Sequence, residues 1–373
     1  MLSNTTPTTI PSPRRPRTRH LLTRLALAAA LILTGVAQAT PAAQAQPLPA
    51  ARPGCARHDL AVTLTATPGA VPYRLAGWLC RPAHATTTVQ VLIPGLTYTH
   101  RYWTGLDQRT DYTATALAGG DAVYLIDRIS TGASDRPPAD QVTATTEATV
   151  THQVIRALRD GTIGRFTRVV SVGHSYGSVI AMAEAATYHD VDALVLTGLL
   201  HDIRLDEMTR FITDLHPAAA DPKFADTAPP DGYMTTRPGS RPGYFLNPQT
   251  AARGATGWDE QTKTTATTGE LTFTPDDELA YSRAITVPVL FVMGATDALF
   301  CGTGQPCTTT ADICQREHTA FPNGTPLAAV TVPRTGHSLN LHRAAPLAFT
   351  AITAWLHHQR SASGTPPVSS CRR

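Results

Sequence analysis

The sequence predicts an α/β domain: a mostly parallel central sheet with an antiparallel N-terminal hairpin, helices on both faces and a lid insertion. Three observations predict it. Between Val89 and His358, short runs dominated by Val, Ile and Leu alternate with longer stretches of helical period, the pattern of a parallel sheet buried on both faces. Two strand-like runs about a Pro68-Gly69 turn precede that alternation. The alternation then stops between Thr197 and Val289. There, residues at about 201–285 are rich in Thr, Pro, Ala and Asp, with Tyr233, Tyr244, Phe245 and Trp258 scattered among them. The aromatics favour an ordered lid over a disordered excursion.

In chain order, the first element is an address. Arg14 to Arg24 form a basic stretch, Leu25 to Val36 an apolar one, and Ala37-Gln38-Ala39 and Ala43-Gln44-Ala45 offer small-x-small cleavage sites. Residues 1–39 thus have the layout of a secretory signal peptide. The apolar run is shorter than the roughly 20 residues a bilayer span needs, so a secreted protein with no stable membrane span is expected. Residues 40–54, rich in Ala, Pro and Gln, read as a disordered leader, and residues 55–373 as the folded domain. The signal carries five arginines and no acid; without those five charges the formal +3 falls to −2. Nucleic-acid binding, which needs a basic face on the folded part, is thereby disfavoured. With 42% hydrophobic and 16% charged residues, the chain is too apolar to be disordered throughout.

The hairpin comes next. Leu60–Thr65 and Tyr73–Cys80 read as its strands, and folding them about the turn brings Cys55 near Cys80. All six cysteines follow the signal, an even number that suggests disulfides in a secreted chain. Cys301, Cys307 and Cys314 crowd one loop and Cys371 ends the tail, so one pair should close within the loop and the third cysteine pin the tail. No C-x-x-C and no H-E-x-x-H occurs, and no metal or organic cofactor is expected. The alternation itself reads as strands at 89–94, 122–127, 168–173, 191–197, 289–294 and 327–332, with helices at 112–119, 142–159, 178–188 and 345–358. In the second of these helices Val150, Val154 and Leu158 share one face.

Between the strand at 168–173 and its following helix stands Gly173-His174-Ser175-Tyr176-Gly177. G-x-S-x-G in a strand-turn-helix setting puts a serine at the apex of a strained turn, where its hydroxyl is exposed and flanking side chains would collide. The helix N-terminus behind Ser175 adds partial positive charge where an oxyanion would develop. Ser175 is therefore the expected nucleophile. It needs a base.

At this point the sequence resembles the α/β-hydrolase superfamily over about residues 58–358, and within it secreted bacterial serine esterases and lipases. The resemblance is carried by the Gly95 loop, Asp127 with its Gly132/Ser134 loop, the elbow at Ser175, Gly294-Ala295-Thr296-Asp297 and Gly336-His337-Ser338. It implies His337, after the last strand, as the base, with His342 and His318 as rivals. It implies Asp297 as the acid that orients the base, with Asp202 as the variant location, and Asp127 as a loop anchor. The backbone N–H groups of Tyr176 and Leu96 would form the oxyanion hole. Tyr98, Tyr102 and Trp103 either line an acyl pocket or belong to the core. The implied activity is hydrolysis of a small-molecule carboxylic ester through a Ser-His-Asp acyl-enzyme. The alternatives are a secreted serine peptidase or aminopeptidase, with Asp206, Glu207 and Asp231 as acids for a substrate amine, and a thioesterase or acyltransferase. Oligomeric state and substrate identity are not readable from the sequence.

Overall fold

The computed structural model describes residues 54–321, 324–361 and 367–371; the expected signal segment, and all of the expected leader but Gly54, lie outside them. The central sheet has nine strands: β1 (Cys55–Arg57), β2 (Gly77–Cys80), β3 (Thr88–Ile93), β4 (Ala122–Ile126), β5 (Arg168–His174), β6 (Ala193–Thr197), β7 (Val289–Gly294), β8 (Leu327–Val332) and β9 (Ser369–Ser370). Their spatial order is β1-β2-β4-β3-β5-β6-β7-β8-β9. The six strands from β4 to β8 are parallel, and β1, β2 and β9 run antiparallel to their neighbours. Every residue of β3, β4, β6 and β7 is buried, as the unbroken apolar runs require of strands covered on both faces. The longer helices are α1 (Tyr112–Ala118), α2 (Ala144–Asp160), α3 (Tyr176–Tyr188), α4 (Leu205–Asp214), α5 (Ala255–Thr262), α6 (Pro275–Ala284), α7 (Thr310–Glu317) and α8 (Ala345–Ser361). In the two covering layers, α3 packs on both α2 and α6, and α1 packs on α8. No helix among the described residues is long and apolar enough to cross a membrane.

The N-terminal edge differs from the expected hairpin. Leu60–Thr63 pairs with Pro72–Leu75 as a separate two-stranded ribbon, while β2 leaves it to pair with β1 and β4. The switch lies at Ala76, whose N–H donates to Ser134 Oγ at 2.9 Å and whose carbonyl accepts from Asp127 N at 3.0 Å. With its backbone bonds taken there, Ala76 cannot continue the ribbon. Cys55 and Cys80 become direct partners in the β1–β2 register and are bridged. The other bridges are Cys301–Cys307, within the loop after β7, and Cys314–Cys371, which pins the tail beside β8.

Residues 201–285 are ordered. They comprise α4, a three-stranded antiparallel sheet (Leu215–Pro217, Tyr233–Thr236, Ala266–Thr267), a helical turn at Arg241–Phe245, α5 and α6. Tyr233, Tyr244 and Phe245 are buried. A buried ion pair fastens the insertion to the loop after β3. The Arg241 guanidinium grips both Asp259 oxygens at 2.9 Å, reaches Thr97 Oγ1 at 2.7 Å and lies 4.6 Å from the Tyr98 ring centre. One partner without the other would leave an unpaired charge in the interior, so this contact is all or none.

Candidate active site

Ser175 is where β5 becomes α3. Its backbone sits at φ 53° and ψ −124°, a left-handed setting that strains any residue with a Cβ. The strain is locked from both sides. Ser175 N donates to Thr197 O at 2.8 Å, and Ser178 N donates to Ser175 O at 2.8 Å. The two glycines of the motif are required by close approach: a Cβ at Gly173 would meet Ser178 Cα at 2.4 Å, and one at Gly177 would meet Ile93 O at 2.2 Å. His174, fully buried, stacks on Tyr102 with ring centres 4.2 Å apart. Burial, and then His337, hold its imidazole well below the ordinary range, so it stays neutral beside the site.

His337 and Asp297 meet although 40 residues separate them. His337 Nδ1 lies 2.8 Å from Asp297 Oδ2, and Asp297 Oδ1 accepts from Leu299 N at 2.9 Å. Both side chains are almost wholly buried. An Nδ1–H given to the carboxylate leaves Nε2 as a lone-pair acceptor. The loop carrying His337 is braced by His342, which donates from Nδ1 to Ser338 O at 2.9 Å and accepts at Nε2 from Gly336 N at 3.1 Å and Asn247 N at 2.9 Å. His342 is thus a strut. His318 bonds the Gln315 carbonyl at the end of its own helix, α7. Asp202 is solvent-exposed and faces Gln305 and Arg316, not His337. Asp127 receives His100 Nδ1 at 2.7 Å and Ala133 N at 2.8 Å; burial raises its pKa, but His100 and the backbone donors hold it below the usual carboxylate range. It anchors the loop after β4.

Ser175 and His337 line one cavity of about 270 Å³. No hydrogen bond joins the serine hydroxyl to His337 in this arrangement; such contacts often lengthen in free enzymes and tighten around substrate. One wall comes from the sheet side, with Leu96, Tyr176, Val179, Leu199 and Phe300. The insertion supplies the other, with Ile203, Met208, Phe211, Phe245, Leu271 and Phe273. Leu96 and Tyr176 stand beside Ser175, and among the described residues neither backbone N–H has an acceptor. Tyr98 lines the cavity and its hydroxyl meets Ser338 Oγ at 2.7 Å, whereas Tyr102 and Trp103 are core.

Two carboxyl groups break the apolar lining, and neither is among the acids weighed from sequence. Glu270 is paired with Arg128, whose guanidinium also holds Glu147 at 2.6 Å. Glu278 on α6 is 3% exposed, and its Oε1 has no hydrogen-bond partner. Burial pushes its carboxyl up to about 8, while nearby His201 pulls the other way. Asp206 and Glu207 instead pair with Arg204 and Arg210 outside the cavity, and Asp231 is exposed. The sequence signals α6 through Thr274-Pro275-Asp276-Asp277, a capping box with proline at the first turn. The face Glu278 would take has no such local signal.

A model of the Alpha/beta hydrolase family matches residues 90–350. No curated protein matches the chain. Solved structures similar to it include an esterase from Thermogutta terrifontis, at 17% identity and TM-score 0.51 over 81% of this chain and 99% of that one. A putative lipase from Acinetobacter baumannii has 15% identity and TM-score 0.55 over 83% and 93%. A carboxylesterase from Bacillus subtilis has 15% identity and TM-score 0.53 over 81% and 92%. At these identities the likeness is one of fold.

Proposed function

The chain belongs to the alpha/beta hydrolase family, and from that premise we propose that it is a secreted serine hydrolase cleaving a carboxylic ester through an acyl-enzyme. The observation that carries this reading is a strained elbow serine and a buried His337–Asp297 pair on one largely apolar cavity. His337 Nε2 takes the Ser175 proton as Oγ adds to the ester carbonyl. The oxyanion is met by the N–H groups of Leu96 and Tyr176 and by the N-terminus of α3. The tetrahedral adduct expels the alcohol, which takes the proton from His337. Water, deprotonated by the same imidazole, then releases the acid. Each step balances without metal or organic cofactor. Residues 201–285 act as the lid, since they supply one wall of the acyl pocket. Three disulfides favour an oxidising compartment, in keeping with export by the signal layout of residues 1–39.

A second reading has its own observation. A carboxyl of Glu278, buried in the cavity wall with an unpartnered oxygen, would suit a substrate that bears an amine, as in an aminopeptidase.

A fluorophosphonate should label the wild-type protein at Ser175 and leave Ser175→Ala unlabelled, with the fold intact by circular dichroism. Nitrophenyl esters should turn over and aminoacyl anilides should not. Labelling of another serine in Ser175→Ala would remove the nucleophile assignment, and anilide cleavage without ester cleavage would select the peptidase.

A further inference from the structure

On the far side of the nucleophile helix, away from the cavity lining, a second cluster of titratable groups takes no part in the chemistry above. Glu184 lies nine residues beyond Ser175 on α3, about 13 Å along the axis. It is 0% exposed, and neither of its carboxylate oxygens has a hydrogen-bond partner. His152 comes from α2 and Asp190 from the turn after α3. His152 Nδ1 stands 2.7 Å from Asp190 Oδ2 and 3.9 Å from Glu184 Oε1. One donor atom from each of the three residues falls within 4.8 Å of the other two. The second Asp190 oxygen, Oδ1, is also without a hydrogen-bond partner. His152 is fixed in this direction by stacking on Tyr188, with ring centres 3.9 Å apart.

Glu184 is a buried carboxylate with no donor, which is strongly disfavoured, and a second carboxylate facing it makes it more so; Asp190 itself is partly exposed and meets His152 Nδ1. The neighbouring guanidinium donates to neither carboxylate: Arg159 gives its N–H groups to the Asp190 and Thr167 main-chain carbonyls and to the Asp192 carboxylate. What Glu184 lacks is a cation or a proton. The third member decides for the cation. An imidazole nitrogen aimed at the same point as two carboxylates makes an N/O donor set carrying two negative charges, with three protein ligands. Calcium takes six to eight oxygens and magnesium keeps an octahedral, oxygen-rich shell. Zinc accepts His and Asp/Glu in fours, one place left to water. His152 and Asp190 are 22% and 21% exposed, so one side of the cluster opens to solvent for that water and for ion access.

We propose that His152, Glu184 and Asp190 form a binding site for a divalent cation of the zinc class, which clamps α2 to the helix that carries Ser175. The site is a structural one.

The test uses the full chain without a polyhistidine tag, stripped with a chelator. Zinc titrated by calorimetry should bind at one high-affinity site per chain. Thermal melts should rise by several degrees once free zinc is about a hundredfold above Kd. Asp190→Asn and His152→Gln, both at partly exposed positions, should fold, keep ester turnover and weaken zinc at least a hundredfold; Glu184→Gln should do the same, and if it fails to fold the other two variants decide. The proposal is overturned if the wild type takes no zinc and its melt does not move, which means that Glu184 carries a proton. It is also overturned if zinc binds unchanged in these variants, placing it elsewhere, or if calcium displaces zinc at equal concentration.

Discussion

Asp297 divides its two oxygens between tasks. One holds the Leu299 N–H of its own loop and the other the His337 ring. An asparagine there would fit the space, but its amide can meet His337 Nδ1 with an N–H and stabilise the tautomer that cannot accept a proton at Nε2. Turnover of a nitrophenyl ester by Asp297→Asn should therefore fall on the order of 10⁴-fold, as for the tautomer defect in a serine-protease triad, with KM little changed. Asp202→Asn should be near wild type, since Asp202 faces solvent, Gln305 and Arg316. Steady-state kinetics on both variants decides it, and interchanged effects would refute the acid assignment. At this scale the sequence was most legible where a side chain follows a strand directly. Ser175, Asp297 and His337 each stand in a short turn after β5, β7 and β8, so strand periodicity places them. Glu278 and Arg241 were not legible. Their burial depends on which way the insertion folds over the sheet, and no local pattern encodes that.

The loop between β7 and α7 shows how an element holds a residue. Cys301 N donates to Asp297 O at 2.9 Å, and Cys301 is bridged to Cys307. Phe300 lies against His337 with ring centres 5.8 Å apart, and its carbonyl is held by Arg316 of α7 at 2.9 Å. Displacement of Cys301 is thus passed to both partners of the histidine–carboxylate pair, where misplacement of about half an ångström is already costly. The Cys301→Ser/Cys307→Ser variant should lose kcat several-fold with KM within error, at temperatures where near-UV circular dichroism still shows the native fold. Wild-type kcat in that variant would reduce the bridge to protection against proteolysis. The same loop marks a limit of the sequence reading. It reads as weakly structured because it is rich in Thr and Gly, yet it runs directly into α7, opened by a reciprocal cap between Thr309 and Asp312. The short helix has too few apolar residues for its period to register, and the cap was the only available sign. The strand expected to run through Cys80 failed for a different reason. Its break at Ala76 is made by Ser134 and Asp127, more than fifty residues away along the chain.

For the whole molecule, the alternation of strands and helices was enough to give the layer order and the parallel sheet, because each strand must be buried on both faces. The meeting of the insertion with that sheet was beyond it, and this is where the titratable interior lies. In the cavity wall Glu278 shares a buried region with His201 and Glu317; His201 Nδ1 meets Glu317 Oε2 at 2.6 Å. Burial pushes the Glu278 carboxyl up to about 8, from an ordinary 4.5. The folded chain then keeps a proton that the unfolded chain has already released everywhere between those two values. Stability from this group is full below the lower value and is lost progressively as pH rises toward the upper one. His201 acts with the same sign. Burial opposes its protonation, but Glu317 outweighs that and holds it above the ordinary imidazole value of 6.5, so its contribution is also lost on the alkaline side. The melting temperature should accordingly fall from pH 5 to pH 8.5. Glu278→Gln keeps the shape and removes one titration, so it should flatten that decline and melt above the wild type at pH 8, with the difference shrinking toward pH 5. Thermal melts at half-unit intervals in buffers of matched ionic strength measure both curves. Parallel slopes for the two proteins would mean that Glu278 is ionised in the folded state and that the alkaline loss arises elsewhere.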